Sequence, residues 1–199
     1  MNEQTLDAKY WDERYNQNND PWSIGSISTP LKEYIDQLTD KTLSILIPGC
    51  GNAYEARYLL EQGFTNITLI DISPALVKAI QNELSAYNDK QLRIICDDFF
   101  NLKDQFDLII EQTFFCALDP ASRENYIDKM HELLKPGGKL VGVLFNCSFE
   151  VSPPFAGNKK EYEELFSKRF DIKTMENCYN SIPKRAGNEL FVIFEKNLV

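Results

Sequence analysis

The sequence predicts a doubly wound α/β fold, a mostly parallel seven-stranded sheet that ends in a C-terminal antiparallel hairpin. Short runs that are apolar throughout alternate with stretches of helical periodicity, which is how a parallel sheet covered on both faces reads. The last two runs are joined only by Glu176 to Asn188, too little chain for a crossover helix, so they should pair antiparallel at one edge. The 199 residues suit one domain, 1–199. A chain of this length should bury roughly 70% of its unfolded surface.

Residues 1–40 read as helix and loop: Leu6 to Tyr15, the polar stretch Asn16 to Asp20, then Thr29 to Leu38. Leu43 to Ile47 is the first strand, ended by Pro48-Gly49-Cys50-Gly51. Asn52 with Glu55 has the spacing of a capping box, and the helix it opens carries Ala56, Leu59 and Leu60 and stops at Gly63. Ile67 to Ile72 is the second strand; Ser73-Pro74 then supplies an N-cap and a first-turn proline for a helix with Leu76, Val77, Ile80 and Leu84 on one face. Leu92 to Cys96 and Phe106 to Ile110 are strands three and four. A helix from Pro120 to Leu134, capped by Asp119 and stopped by Pro136, leads through Gly137-Gly138 to strand five, Lys139 to Phe145. A helix over Lys160 to Lys168 and strands at Phe170 to Met175 and Glu189 to Glu195 complete the chain.

Composition narrows the function classes. Lys+Arg 21 against Asp+Glu 30 gives a net charge of −9, and no basic stripe offsets it, so no nucleic-acid partner is expected. No apolar run approaches the roughly 18–20 residues of a membrane span, and Met1 to Asp7 lack the features of a secretory signal. The five cysteines, Cys50, Cys96, Cys116, Cys147 and Cys178, contain no CxxC pair and are expected to be reduced, as in a cytoplasmic protein. His131 is the only histidine, which leaves no material for a His-based triad or a multi-His metal site, and no metal is expected. A monomer is expected.

Ligands of open α/β sheets bind beyond the C-terminal ends of the strands. Four stretches fall there: Pro48 to Asn52, Asp71 to Ser73, Asp97 to Phe100, and Glu111 to Cys116. Gly49 and Gly51 let the backbone pass close under a ligand. Asp71 ends the second strand, 20 residues beyond Gly51, where an acid takes hydrogen bonds from a ribose diol. Asp98 with Phe99 can hold an adenine by its amino group and ring face, with Asp97 the neighbouring alternative. Tyr54 stands where a dinucleotide fingerprint needs its third glycine, so a cofactor with ribose and adenine but no phosphate suits the turn better; S-adenosylmethionine fits that description.

Ile47-Pro48-Gly49-Cys50-Gly51-Asn52, Leu69-Ile70-Asp71-Ile72-Ser73-Pro74 and Glu111-Gln112-Thr113-Phe114-Phe115-Cys116-Ala117-Leu118 resemble the thiopurine S-methyltransferase family, most of all its thiol and halide methyltransferase branch. Tyr10 to Tyr15, Pro21-Trp22 and Pro153-Pro154-Phe155 belong to the same pattern, so the resemblance covers essentially the whole chain. It implies a methyltransferase fold in which the N-terminal segment, residues 1–40, closes over S-adenosylmethionine. It further implies that Trp11, Trp22, Gly49, Gly51, Asp71, Asp98, Phe99 and Gln112 contact that cofactor. Family members often carry an aromatic where Gln112 stands, and Tyr15 replaces a tryptophan of the plant halide enzymes.

The expected acceptor is a small soft nucleophile: a thiol, a thiopurine-like compound, thiocyanate or a halide. Such acceptors need alignment and water exclusion more than a base, and Trp22, Phe114, Phe115 and Phe155, with Pro154, are the expected apolar wall. No titrating group is placed at the site by the sequence, so the halide rate is expected to be flat between about pH 6 and 9, with His131 a bystander. Ser152-Pro153-Pro154-Phe155 resembles an amino-methyltransferase signature, but it follows the fifth strand rather than the fourth. The alternatives are a nicotinamide-dependent oxidoreductase of the same fold class and a non-catalytic nucleotide-binding module.

Overall fold

The computed structural model describes residues 5–17 and 19–197. Asn18, part of the expected polar stretch, and Met1 to Gln4, read above for a secretory signal, lie outside the described residues. Strands β1 (Ile45–Pro48), β2 (Ile67–Asp71), β3 (Leu92–Cys96), β4 (Phe106–Gln112), β5 (Leu134–Phe145), β6 (Phe170–Asn177) and β7 (Glu189–Lys196) form one sheet in the order β3-β2-β1-β4-β5-β7-β6. The first five are parallel; β7 runs antiparallel between β5 and β6. The chain reverses its direction of travel across the sheet between β1 and β4, and the crevice at that switch point is where ligands of such sheets sit.

Both faces of the sheet are covered, and β1 and β2 are accordingly buried at every position. Ile45, Ile47, Leu69, Leu108 and Ile110 meet helices α2 (Thr29–Asp36), α3 (Tyr54–Glu61) and α4 (Pro74–Glu83) through Leu31, Ile35, Ala56, Leu59 and Ile80. On the other face Leu46, Ile70 and Ile109 meet α5 (Arg123–Leu133) and α6 (Lys159–Phe166) through Tyr126, Ile127, Met130 and Phe166. The period of two along each strand assigns alternate residues to alternate layers.

Three local expectations are corrected. The Asn52–Glu55 capping box does not form: Ala53, at φ 56°, precedes α3 and gives it no side-chain cap, while the Asn52 amide donates instead to Asp20 and Ser23. Asp119 caps only a short 3₁₀ turn, Pro120–Ser122, through a bond from Ala121 N of 2.7 Å, and α5 begins at Arg123. The fifth strand starts at Leu134 rather than Lys139, passing through Pro136 and Gly137 in an irregularity where Phe106 pairs Leu134 and Leu108 pairs Lys139. Ser73 does cap α4, accepting from Leu76 N at 3.2 Å.

The segment expected to form a forty-residue lid divides in two. Helix α2 is core, with Leu31 and Ile35 fully buried. Helix α1 (Ala8–Asn16), by contrast, buries no residue completely. It is attached by point contacts: Asp12 accepts from Ser73 Oγ and from Ala75 N at the N-terminus of α4, where a carboxylate also meets the helix dipole favourably. Among the described residues no helix is long and apolar enough to cross a membrane.

Candidate active site

A cavity of about 620 Å³ opens over the C-terminal ends of β1, β2 and β4, within the roughly 300–1,000 Å³ usual for small-molecule sites. Its floor is the turn after β1. Gly49 and Gly51 lie at φ 54° and 48°, a conformation that costs other residues energy, and a Cβ on Gly49 would sit 2.2 Å from Cδ2 of Phe114. The Phe114 ring therefore packs directly on this turn. Its position is set from below by Glu111, a fully buried carboxylate that accepts from Phe114 N (2.8 Å), Phe115 N (3.0 Å) and the Tyr126 hydroxyl (2.7 Å). Thr113, at φ 59°, absorbs the sharp turn this requires.

Asp71 is 7% exposed at the end of β2 and accepts from Gly51 N at 3.3 Å and Ser73 N at 3.0 Å. Burial pushes its carboxyl up to about 6, against the pull of those backbone donors. Each oxygen keeps a lone pair for a further donor. Asp98 caps the 3₁₀ turn Phe99–Asn101 through Phe100 N at 2.9 Å, while Asp97 accepts from Asp98 N and Asn101. Asp97, Asp98 and the buried Phe99 all line the cavity. Ser28 donates to Gln112 Oε1 at 2.8 Å, and Gln112 Nε2 is left buried at the cavity wall without a partner.

The roof comes from the N-terminal segment. Trp11 and Trp22 meet edge to face at 5.6 Å between ring centres, Tyr15 and Trp22 at 5.9 Å, and the Arg14 guanidinium stacks over Trp22 at 4.9 Å. Ser23 pairs with Tyr54 at 3.0 Å, and Arg185 donates to the Trp22 carbonyl at 2.7 Å. All eight residues expected at the cofactor line the cavity, Gly49 and Gly51 through their backbone.

The expected apolar wall is placed differently. Phe114 and Trp22 line the cavity, but Phe115 is 1% exposed and packs in the core against Tyr126, Tyr162 and Phe166. Phe155 is not among the lining residues; Pro153 and Pro154 are, held by Phe155 N donating to the Cys116 carbonyl at 2.7 Å. His131 lies away from the cavity against Phe170, and burial lowers its pKa. All five cysteines are free.

Four charged residues at the cavity were not foreseen, Asp7, Glu55, Asp119 and Arg185, and two of them bear on its chemistry. Arg185, from the loop between β6 and β7, stacks on Phe145 at 5.3 Å and pairs with Glu189 at 3.3 Å. Glu55, in the first turn of α3, is 6% exposed, and burial pushes its carboxyl up to about 7 while Arg185 draws it back. The expectation of a flat profile rested on the absence of such a group, and that premise is corrected. The gap between an ordinary glutamate near 4.5 and about 7 corresponds to about 3 kcal/mol. A carboxyl raised in this way contributes stability that is fully present below about pH 4.5 and lost as pH rises through about 7. Glu55→Gln should therefore match wild type in denaturant unfolding at low pH and exceed it by about 3 kcal/mol at pH 8.

The sequence model of thiopurine S-methyltransferases matches residues 6–197. The chain belongs to the thiopurine S-methyltransferase family. The probable thiol methyltransferase 2 of Arabidopsis thaliana is 28% identical over 159 residues, covering 78% of this chain and 70% of that one. Thiocyanate methyltransferase 1 of the same plant is 26% identical over 189 residues, covering 93% and 83%. Among solved structures, the Burkholderia thailandensis 1,6-didemethyltoxoflavin-N1-methyltransferase with bound S-adenosylhomocysteine superposes at a TM-score of 0.75, with 18% identity over 96% of this chain and 87% of that one, which shows the shared fold. As a member of this family the protein is a methyltransferase that uses S-adenosylmethionine. The residues present fit that cofactor: a glycine turn closed by Phe114, a buried carboxylate with free lone pairs, and the orphaned Gln112 amide all face one cavity.

Proposed function

We propose that the protein methylates a small soft nucleophile, with thiols, thiopurine-like compounds, thiocyanate and halides as the candidate acceptors, inside the cavity over β1 and β4. The observation that carries this reading is the composition of the cavity: aromatic rings above and below it, and one buried carboxylate at the β2 end. When bound, S-adenosylmethionine supplies the electrophilic methyl carbon and the leaving sulfur. Asp71 takes the ribose hydroxyls, Asp98 and Phe99 hold the adenine, and Gln112 Nε2 donates to the methionine portion. Trp11, Trp22 and Phe114 supply ring faces for a cation, each such contact worth about 0.5–2 kcal/mol. They also exclude water, which would compete with a poorly hydrated acceptor.

The lid in this reading is the chain before α2, residues 5–28, since α2 itself is core. Five free thiols, one of them the exposed Cys96, support a reducing compartment such as the cytoplasm. The charge of −9 supports a small-molecule acceptor over a nucleic acid. A nicotinamide dinucleotide suits the turn less well, because Tyr54 occupies the third fingerprint position and its hydroxyl is engaged by Ser23. The test is a screen of an aliphatic thiol, a thiopurine, thiocyanate and iodide for S-adenosylhomocysteine release. At least one acceptor should raise the release rate 100-fold or more above the rate without acceptor; background rates with all four would sink the proposal.

A further inference from the structure

Glu55 is the one buried carboxyl lining the cavity that the cofactor reading leaves without work. It is buried and lines the cavity, and among the described residues no other side chain donates a hydrogen bond to it. A backbone N–H and the Arg185 charge favour its ionised form only in part, and a buried carboxylate with no side-chain donor is costly, so its position against an open cavity points to a partner from outside the chain.

Its place in the sheet assigns the end of the cavity it serves. The adenosine end is marked by Asp71 and Phe99, at β2 and β3. Glu55 lines the cavity together with Arg185, which reaches over from the β6–β7 loop, stacks on Phe145 at the end of β5 and draws the Glu55 carboxyl down. That is the opposite side of β1, where an acceptor would approach. From the other packed elements Glu55 meets Cys50, after β1, whose thiol burial pushes up. Arg185 is itself held by Glu189 of β7, and Cys116, after β4, is also raised by burial. Neither thiol is a base near neutral pH, which leaves Glu55 as the buried carboxyl lining this side of the cavity.

We propose that Glu55 takes the proton from a neutral thiol acceptor, and that its charge state selects between thiols and preformed anions. This rests on the soft-nucleophile reading above. As the thiol sulfur bonds to the methyl carbon, the bond from that carbon to the cofactor sulfur breaks and its electron pair stays on that sulfur. The S–H proton passes to a Glu55 carboxylate oxygen and leaves later to water. A preformed anion such as thiocyanate has no proton to give and is repelled by a charged Glu55, so it is served when Glu55 is neutral.

The two acceptor types should therefore show opposite pH limbs. With an aliphatic thiol of pKa about 8.5 or above, the wild-type rate should rise as Glu55 ionises near neutrality. With thiocyanate it should fall over the same range. In Glu55→Gln the thiol rate at pH 8 should drop about 100-fold, the low end for loss of a general base. Its remaining rise should follow the thiol's own pKa, and its thiocyanate rate should be flat. Glu55→Asp, which keeps the carboxyl, should retain both limbs at reduced rate. A readout independent of turnover is carboxyl ¹³C NMR of glutamate-labelled full-length protein. One resonance absent from Glu55→Gln should titrate near neutrality and shift to higher pKa when thiocyanate is added. Unchanged limbs in Glu55→Gln, or a resonance that ignores thiocyanate, would overturn the proposal while leaving the soft-nucleophile reading intact. A tenfold loss of S-adenosylmethionine affinity in Glu55→Gln with both limbs preserved would also overturn it, by assigning Glu55 to the cofactor's ammonium group. Wild type that methylates neither acceptor would overturn the underlying reading and this proposal with it.

Discussion

Deleting residues 1–22 is expected to abolish methyl transfer while leaving a folded sheet. The segment carries Trp11, Tyr15 and Trp22, which together make the roof of the cavity. Its polar attachments are Asp12 to the start of α4, Asn52 to Asp20, and Arg185 to the Trp22 carbonyl, and Tyr15 packs its ring against the core. Losing the Asp12 contacts removes a capping interaction worth about 1–2 kcal/mol, small against the 5–15 kcal/mol of a typical domain. The core of α2 through β7 is untouched. Without the roof the cavity is open to water and the sulfonium loses its aromatic partners, so turnover should fall to background. Circular dichroism and denaturant unfolding check the fold, and S-adenosylhomocysteine release checks the activity. In the intact chain S-adenosylmethionine should slow proteolytic cutting between Asn16 and Pro21. A truncated protein with normal turnover would end the lid assignment.

Replacing Asp71 with alanine is expected to weaken S-adenosylmethionine binding by about 1.5–3 kcal/mol, on the order of 10- to 150-fold, the usual cost of losing hydrogen bonds to a charged acceptor. The pH dependence has a definite sign. Burial holds the Asp71 carboxyl at about 6 in the free protein, so the ionised form that accepts from a diol is lost as pH falls through that value. Wild-type affinity measured by isothermal titration should therefore decline below about pH 6, and the alanine variant should be weak at every pH. Equal affinities in a folded variant would remove Asp71 from the cofactor site.

The fold was legible because the strands of a parallel sheet are buried on both faces: Ile45 to Ile47 and Leu69-Ile70 admit no polar residue and so read as strands without ambiguity. The hairpin followed from chain length alone. The gathering of Gly49, Asp71 and Phe99 around one cavity was legible for a related reason, since each sits at a strand end and topology brings strand ends together. The acceptor side depends on contacts that no local pattern encodes. Glu55 has the spacing of a helix-capping acid, and only the left-handed Ala53 turns it from that role into the cavity. Arg185 reaches the site from a hairpin loop remote in sequence, and nothing in its neighbours marks it. Phe114 and Phe115 are adjacent rings of the same kind. Which one faces the ligand is decided by the Thr113 turn and the buried Glu111 carboxylate, and the outcome sends Phe115 into the core.

The central claim is that one lidded cavity over β1 and β4 holds the cofactor between Asp71 and the N-terminal tryptophans. A crystal structure with S-adenosylhomocysteine tests it most directly. The ribose hydroxyls should lie within hydrogen-bond distance of Asp71, the adenine against Phe99, and the Gln112 amide on the homocysteine portion. The sulfur should face Phe114, with Trp11 and Trp22 closed over it and Glu55 on the far side. A ligand bound elsewhere, or one in this cavity that leaves Asp71 bonded only to Gly51 and Ser73, would contradict the account.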